Sequence, residues 1–325
     1  MLRFPLLVST FTTVTSLCLA TTALAQESAP PAATSEPETA TPPPDAPPPP
    51  PAPYSLPFQL RPAGAATTLR LDTAFAFYED PATHHSGFTA VPILSFSYKV
   101  IKGLAPIVRL GTVSNSAPEP APSGSGFLNP ILGATYALDL SKELRLAFFL
   151  GVTVPIGSGG GDHPDADAKL ARTAGIPARS AMDNAMFAVN DFTVIPGVDF
   201  AFVSGGFTAQ AEATLFQLTR VRGSVDQPDS SRTNLTMGLH AGYFLIPAIS
   251  IGAEIRHQRW LSTPKAVAAA PFTRDTTTVA VGPRFHFQVS KGKWLRPGIA
   301  FAFPLDDPMK KSSYKIVQVD IPFSF

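Results

Sequence analysis

The chain has 325 residues, 45% hydrophobic and 15% charged, with 25 Lys and Arg against 24 Asp and Glu and a formal net charge of +1. A balance this even supplies no overall basic field for nucleic acid and no acidic excess for a cationic ligand. The single cysteine, Cys18, excludes a disulfide framework and any Cys-based metal site.

Residues 1–25 predict a secretory signal. Arg3 supplies the positive start, Leu6 to Ala20 an apolar stretch diluted by Thr and Ser, and Ala23-Leu24-Ala25 a small-x-small cleavage site before Gln26. A lipoprotein signal needs a small residue before the cysteine, and Leu17 stands there. Without this leader the chain is cysteine-free and formally neutral. Residues 26–57 predict a disordered, extended spacer, since twelve of the 35 prolines lie between Pro30 and Pro53. Two readings of it stay open: a periplasmic tether and an unstructured lead-in.

Residues 58–325 predict a barrel built from alternation. In TTLRLDTAFAFY, Leu69, Leu71, Phe75 and Phe77 share one face and Arg70, Asp72, Ala74 and Ala76 the other. The same period of two marks twelve segments, at 67–78, 87–98, 104–113, 127–138, 144–155, 191–203, 207–219, 233–244, 249–260, 276–288, 294–303 and 314–325. Most run to about ten residues or more, enough for a tilted strand to cross a bilayer's hydrocarbon layer. Ordinary soluble strands average about 5–6.

The connections alternate too. KVIKG, DLSKE, SGG, LIPA and SKGK are short, and each falls between two long ones, the longest running from Ile156 to Asn190. That is the rhythm of an up-and-down antiparallel barrel with short turns at one end and long loops at the other. An even strand count puts both chain ends on the short-turn side, expected to be periplasmic. The apolar faces as assigned carry no Asp, Glu, Lys or Arg, whereas Arg70, Asp72, Arg109, Arg145, Asp199, Glu212, Glu254, Arg256, Arg284, Arg296 and Asp320 fall on the opposite faces. A cation facing lipid at mid-depth costs about 2–4 kcal/mol, so an empty outer face is what a membrane barrel requires. A soluble β-sandwich also alternates, but strand length disfavours it. A dinucleotide-binding loop at VTVPIGSGGGDH fails, because Asp162 stands where the third glycine belongs.

The last strand, KIVQVDIPFSF, sets Val317, Val319, Ile321, Phe323 and Phe325 on one face and ends on an aromatic. On these features the chain, from about residue 60 to 325, resembles a Gram-negative outer-membrane β-barrel protein. The resemblance implies an outer-membrane location, lipid as the outer solvent, and recognition of Ile321, Phe323 and Phe325 by the barrel-assembly machinery. The glycine often found further upstream is absent, and Pro322 departs from the pattern. Within that class, FLNPILGATYAL resembles the Asn-Pro-x-x-Gly-x-x-Tyr strand of transporter barrels often found beside aromatic-degradation genes, through Asn129, Pro130, Gly133 and Tyr136.

The functional expectation is a porin-like channel or transporter for small solutes, with a narrow water-containing lumen. Small inward residues leave space, and large ones are expected to be few: Phe149, Phe216, Phe244 and Trp260. Ten charged residues are expected to line the pore: Arg70, Asp72, Arg109, Arg145, Asp199, Glu212, Glu254, Arg256, Arg284 and Arg296. The alternative for each is a structural ion pair holding the barrel closed. The long connection reads as one or two short helices, with Pro177 in a first turn, and is either an inward plug near Arg172, Arg179 and Asp183 or an exposed flap. No catalytic constellation, cofactor or metal is expected: the six histidines are scattered, and Asp162, His163, Asp165 and Asp167 miss the calcium-loop spacing. An outer-membrane hydrolase and an envelope anchor using the Pro-rich arm are the alternative functions.

Overall fold

The computed structural model describes residues 53–325 apart from His163, Asp226 and Gln227. The expected leader and most of the Pro-rich spacer lie outside the described residues. The wall starts at Thr68 with β1 (Thr68–Glu79), β2 (Ser86–Ser97), β3 (Leu104–Ser116), β4 (Gly124–Phe127), β5 (Ile131–Asp139) and β6 (Leu144–Thr153). Helices α1 (Ala166–Ala178) and α2 (Asn184–Phe187) follow, then β7 (Asp191–Ser204), β8 (Phe207–Arg220), β9 (Ser231–Ile246) and β10 (Ile249–Trp260). A short α3 (Lys265–Ala269) leads to β11 (Asp275–Phe285), β12 (Phe287–Ser290), β13 (Lys293–Leu295), β14 (Gly298–Pro304) and β15 (Lys315–Ser324).

Each strand pairs antiparallel with its chain neighbour, and β15 returns to β1 with Thr68 opposite Ser324 and Phe77 opposite Lys315. The cylinder therefore has no free edge. Three staves are each broken into two pieces, so the fifteen strands build twelve staves. Two of the breaks have a visible cause: Pro130 and Pro297 have no N–H to give a ladder. At the third, the His286 N–H turns to the Ala248 carbonyl at 2.9 Å. Asn129 compensates for the first break from its side chain, donating to Ala188 O at 2.8 Å and accepting from Gly157 N at 2.9 Å. The Asn-Pro pair thus stitches the wall to the long connection inside it.

Alternation sorts the two faces as expected. Leu71, Phe77, Leu150, Leu239 and Phe301 point outward and are 40–60% exposed, while Asp72, Asp199, Glu254 and Arg256 point inward and are buried. An apolar band wrapping a whole cylinder far exceeds the few hundred Å² that a water-soluble surface carries, so hydrocarbon is its solvent. This is a transmembrane barrel.

Two expectations need correction. Arg259 and Lys315 do lie on the outward face, across from Asp275 and Phe77 respectively. Both sit at the loop-bearing ends of their strands, above the apolar band, and Arg259 reaches Asp275 at 3.3 Å. Nor are large inward residues few. Val91, Ile93, Val113, Ile195, Leu218 and Ile316 also face inward and form a buried apolar cluster with residues of the long connection. The barrel is filled there by packing, not by water.

Candidate functional site

Two stretches of chain occupy the lumen. The first is the connection between β6 and β7, which folds inward. Asp165 caps α1, its carboxylate accepting from Asp167 N at 2.9 Å and Ala168 N at 3.1 Å. A buried face of Ala168, Ala171, Gly175 and Ala178 then packs against the wall, mainly β3 and β4. The approach is close: a Cβ on Gly124 of β4 would stand 2.1 Å from the Asp167 carbonyl oxygen. Pro177 lies in the last turn of α1, not in a first turn as expected. The helix ends one residue after it, at Ala178, with the last turn already weakened because proline cannot donate to the turn before it. Arg172 donates to Ser158 O and ties the helix to the entering limb of its own loop.

Beyond the helix, Arg179 is fully buried and holds two carboxylates. Its Nη1 and Nη2 grip Asp72 at 2.8 and 2.7 Å, and its Nε meets Asp183 at 2.9 Å. Arg109 closes the group from β3, 2.8 Å from Asp183. A planar guanidinium with five donors suits this fork-on-fork geometry. Burial opposes the charge on Asp183, but Arg109 and Arg179 outweigh it and hold the carboxyl well below the usual carboxylate range. Arg179 is likewise pushed down by burial and raised above its ordinary value by Asp72 and Asp183. The inward connection is thus anchored to the wall by ions that stay charged.

The second stretch is residues 54–66, which precede the wall. The sequence reading placed residues up to 57 in the spacer and 58–67 at the start of the barrel; the structure puts Ser55, Pro57, Phe58 and Leu60 inside it, all buried. The wall's charged side chains hold its backbone. Glu254 accepts from the N–H groups of Phe58 and Gln59, and Glu212 accepts from Arg61 N at 2.6 Å. Arg70 donates to the carbonyls of Pro57, Phe58 and Leu60, and Arg284 to those of Leu56 and Pro57. Arg61 itself faces Asp199 at 3.4 Å and Glu212 at 3.3 Å, with its guanidinium 4.6 Å above the Phe149 ring. Burial lowers the Arg61 pKa, but Glu212 and Asp199 more than restore it. The two inserts touch through Gln59, whose Nε2 donates to Arg179 O at 2.8 Å.

The ten predicted inward charges therefore form groups around these inserts. Arg70 and Arg284 share Asp320, and Arg256 reaches Glu254 and, at 2.8 Å, Gln318. Arg145 lies over the Tyr54 ring at 5.3 Å, 3.9 Å from Asp139, and Arg296 lies over Trp294 at 5.3 Å. Sequence reasoning missed Tyr54, Gln59 and Arg61. The available signal was YSLPFQLR, where aromatic, aliphatic and cationic residues abruptly replace the Ala, Pro and Thr of the spacer.

A cavity of about 690 Å³ remains between residues 54–66 and the wall. It reaches the mouth that carries the chain ends, where Ser97 and Ser324 line it, and runs inward past Arg145 and Arg109 to Met182 and Asp183. Among the described residues no group of His, Asp and Glu has the arrangement of a metal site. Ser250 Oγ and His286 Nε2 are 2.9 Å apart, but Ser250 is buried beneath Ser55, whose Oγ is 3.2 Å away. Ile321 and Phe323 lie on the closing strand and Phe325 just past its end, the last two with rings 5.4 Å apart, and Phe325 N bonds Thr67 O at 3.2 Å.

No family model matches the chain, and no curated protein does. Among solved structures it is similar to the NanC porin, at 8% identity and TM-score 0.45, covering 78% of this chain and 98% of that one. It is similar also to the KdgM porin, at 9% identity and TM-score 0.42 over 79% and 99%. The translocator domain of the autotransporter NalP from Neisseria meningitidis gives 11% identity and TM-score 0.44 over 82% and 90%.

Proposed function

We propose that this protein is an outer-membrane channel or transporter for small solutes, shut in the form described. The observation that carries this reading is the way the lumen is filled. A barrel meant only as an anchor can close its middle with its own wall side chains, as eight-stranded barrels do. Here separate stretches of chain occupy the middle: the inward connection packs an apolar face on the wall and is pinned by the Arg179 ion group, and residues 54–66 are held largely through ionic and hydrogen-bonded contacts. A cavity of about 690 Å³ reaching one mouth lies in the range of small-molecule sites. The chain ends, the short turns and the cavity mouth share one end, which this reading assigns to the periplasm.

In planar bilayers the purified protein is expected to give discrete, infrequent conductance steps, and proteoliposomes carrying it to swell in small neutral solutes. Absence of both at every voltage and solute size would remove the reading. The hydrolase reading has the Ser250–His286 pair in its favour. The charges that act on His286 are cationic, Arg284 and Arg296, whereas a carboxylate is what would orient the imidazole.

A further inference from the structure

We infer that residues 54–66 are a peptide ligand bound in cis, and that their withdrawal through the mouth carrying the chain ends is the step that opens the lumen. The inference deepens the channel reading and rests on it. The interior wall provides a receptor for extended backbone. From Ser55 to Arg61 the wall's side chains take most of the main-chain polar groups. Thr208 Oγ1 accepts from Ser55 N at 3.0 Å, and His240 Nε2 lies 3.1 Å from Ser55 O. Arg284, Arg70 and Gln318 take the carbonyls from Leu56 to Phe58, Glu254 and Glu212 the N–H groups, and Gln210 donates to Arg61 O. Pro57 has no donor to satisfy.

Three features make this segment a ligand more than a part of the wall. It forms no strand and joins no ladder, so its departure breaks no part of the barrel. Its path is a loop with both limbs at one mouth. Ser55 is held by Thr208 at the start of β8, and Ala66 O accepts from Ser97 Oγ at the end of β2. Leaving therefore requires no threading past the long connection. Finally, the receptor's charges keep partners when the segment goes. Glu254 retains Arg256 and Asp320 retains Arg70 and Arg284, whereas Asp199 and Glu212 lose Arg61. Two adjacent carboxylates without a cation require hydration, so the vacated lumen is wet and acidic along β7 and β8.

The geometry offers a reversible lock. The Leu60 Cγ lies 3.1 Å from where a Gly238 Cβ would stand, close to the separation of about 3 Å between a disulfide sulfur and the opposite Cβ. In a Cys18→Ser background the full chain has no other cysteine. With Leu60→Cys and Gly238→Cys combined, the oxidised form is expected to pass at least tenfold less current or solute than the same sample after reductant. Leu60→Cys alone, a buried position at 1% exposure, is expected to react with a membrane-impermeant maleimide added at the chain-end side while the barrel stays folded. Equal flux from oxidised and reduced protein, with the cross-link verified by mass, would overturn the inference and leave the channel standing. No flux from any form would overturn both. A Leu60→Cys protein that conducts yet stays unlabelled would also defeat it, because the lumen would then open with the segment in place.

Discussion

Arg179 is the side chain that pins the inward connection to the wall. It lies between Asp72 on β1 and Asp183 on the inward connection, with no exposed surface. Arg179→Ala takes the cation from buried Asp72 and leaves Asp183 with Arg109 alone, so a loss of about 3–5 kcal/mol is expected, the scale for breaking a buried pair by removing one partner. Urea unfolding in detergent, followed by loss of the heat-modifiable band, measures it. Arg179→Lys is expected to recover little, since an ammonium cannot grip both carboxylates of the fork. The pH response follows from Asp183, whose folded pKa lies below its unfolded value. Its contribution is complete above the ordinary carboxylate pKa of about 3.9 and is lost as pH falls through the lower folded value. Hydrogen exchange of α1, corrected for intrinsic rates, should therefore be unchanged between pH 7 and about pH 4. Release of α1 at pH 5 would contradict this account.

Among the elements, the staves were legible because lipid imposes a period of two that no other solvent arrangement imposes at such length. Phe75 and Phe77, Leu146 and Phe148, and Ile251 and Ile255 each fall on the outward face as read. The inserts were legible only in part. The inward connection announced its helices through spacing of Ala, Leu and Met, but its side of the wall was not recognised. The signal was present in β2, where Val91 and Ile93 face inward while Pro92 and Leu94 face outward, so that both faces are apolar as in any doubly covered strand. Residues 54–66 have no period because they adopt no regular structure; their order comes from wall residues 150 or more positions away in sequence, such as Glu212 and Glu254. Removing the inward connection, by replacing residues 160–186 with a short Gly-Ser turn, is expected to raise single-channel conductance severalfold. Unchanged conductance would mean that this insert does not limit the path.

At the scale of the whole molecule, one seam closes the cylinder, and the last residues define it. Phe323 and Ile321 pair with Leu69 and Leu71, and Phe325 N reaches Thr67 O. Deleting Phe325 removes an outward aromatic at the rim and one backbone bond, a small loss to a finished barrel. If the terminal aromatic is read by the assembly machinery, as the resemblance implies, the effect in cells is larger: several times less protein in the outer membrane, with heat-modifiability of the folded fraction unchanged. Equal membrane yield would limit the terminal aromatic to a structural role.

Residues 54–66 run directly into β1, and β1 is the strand that meets β15 at the seam. The filling and the closing strand are one covalent piece. If passage runs through the lumen, a newly made barrel carries its own obstruction on the very strand that completes it, and its insertion opens no path across the membrane.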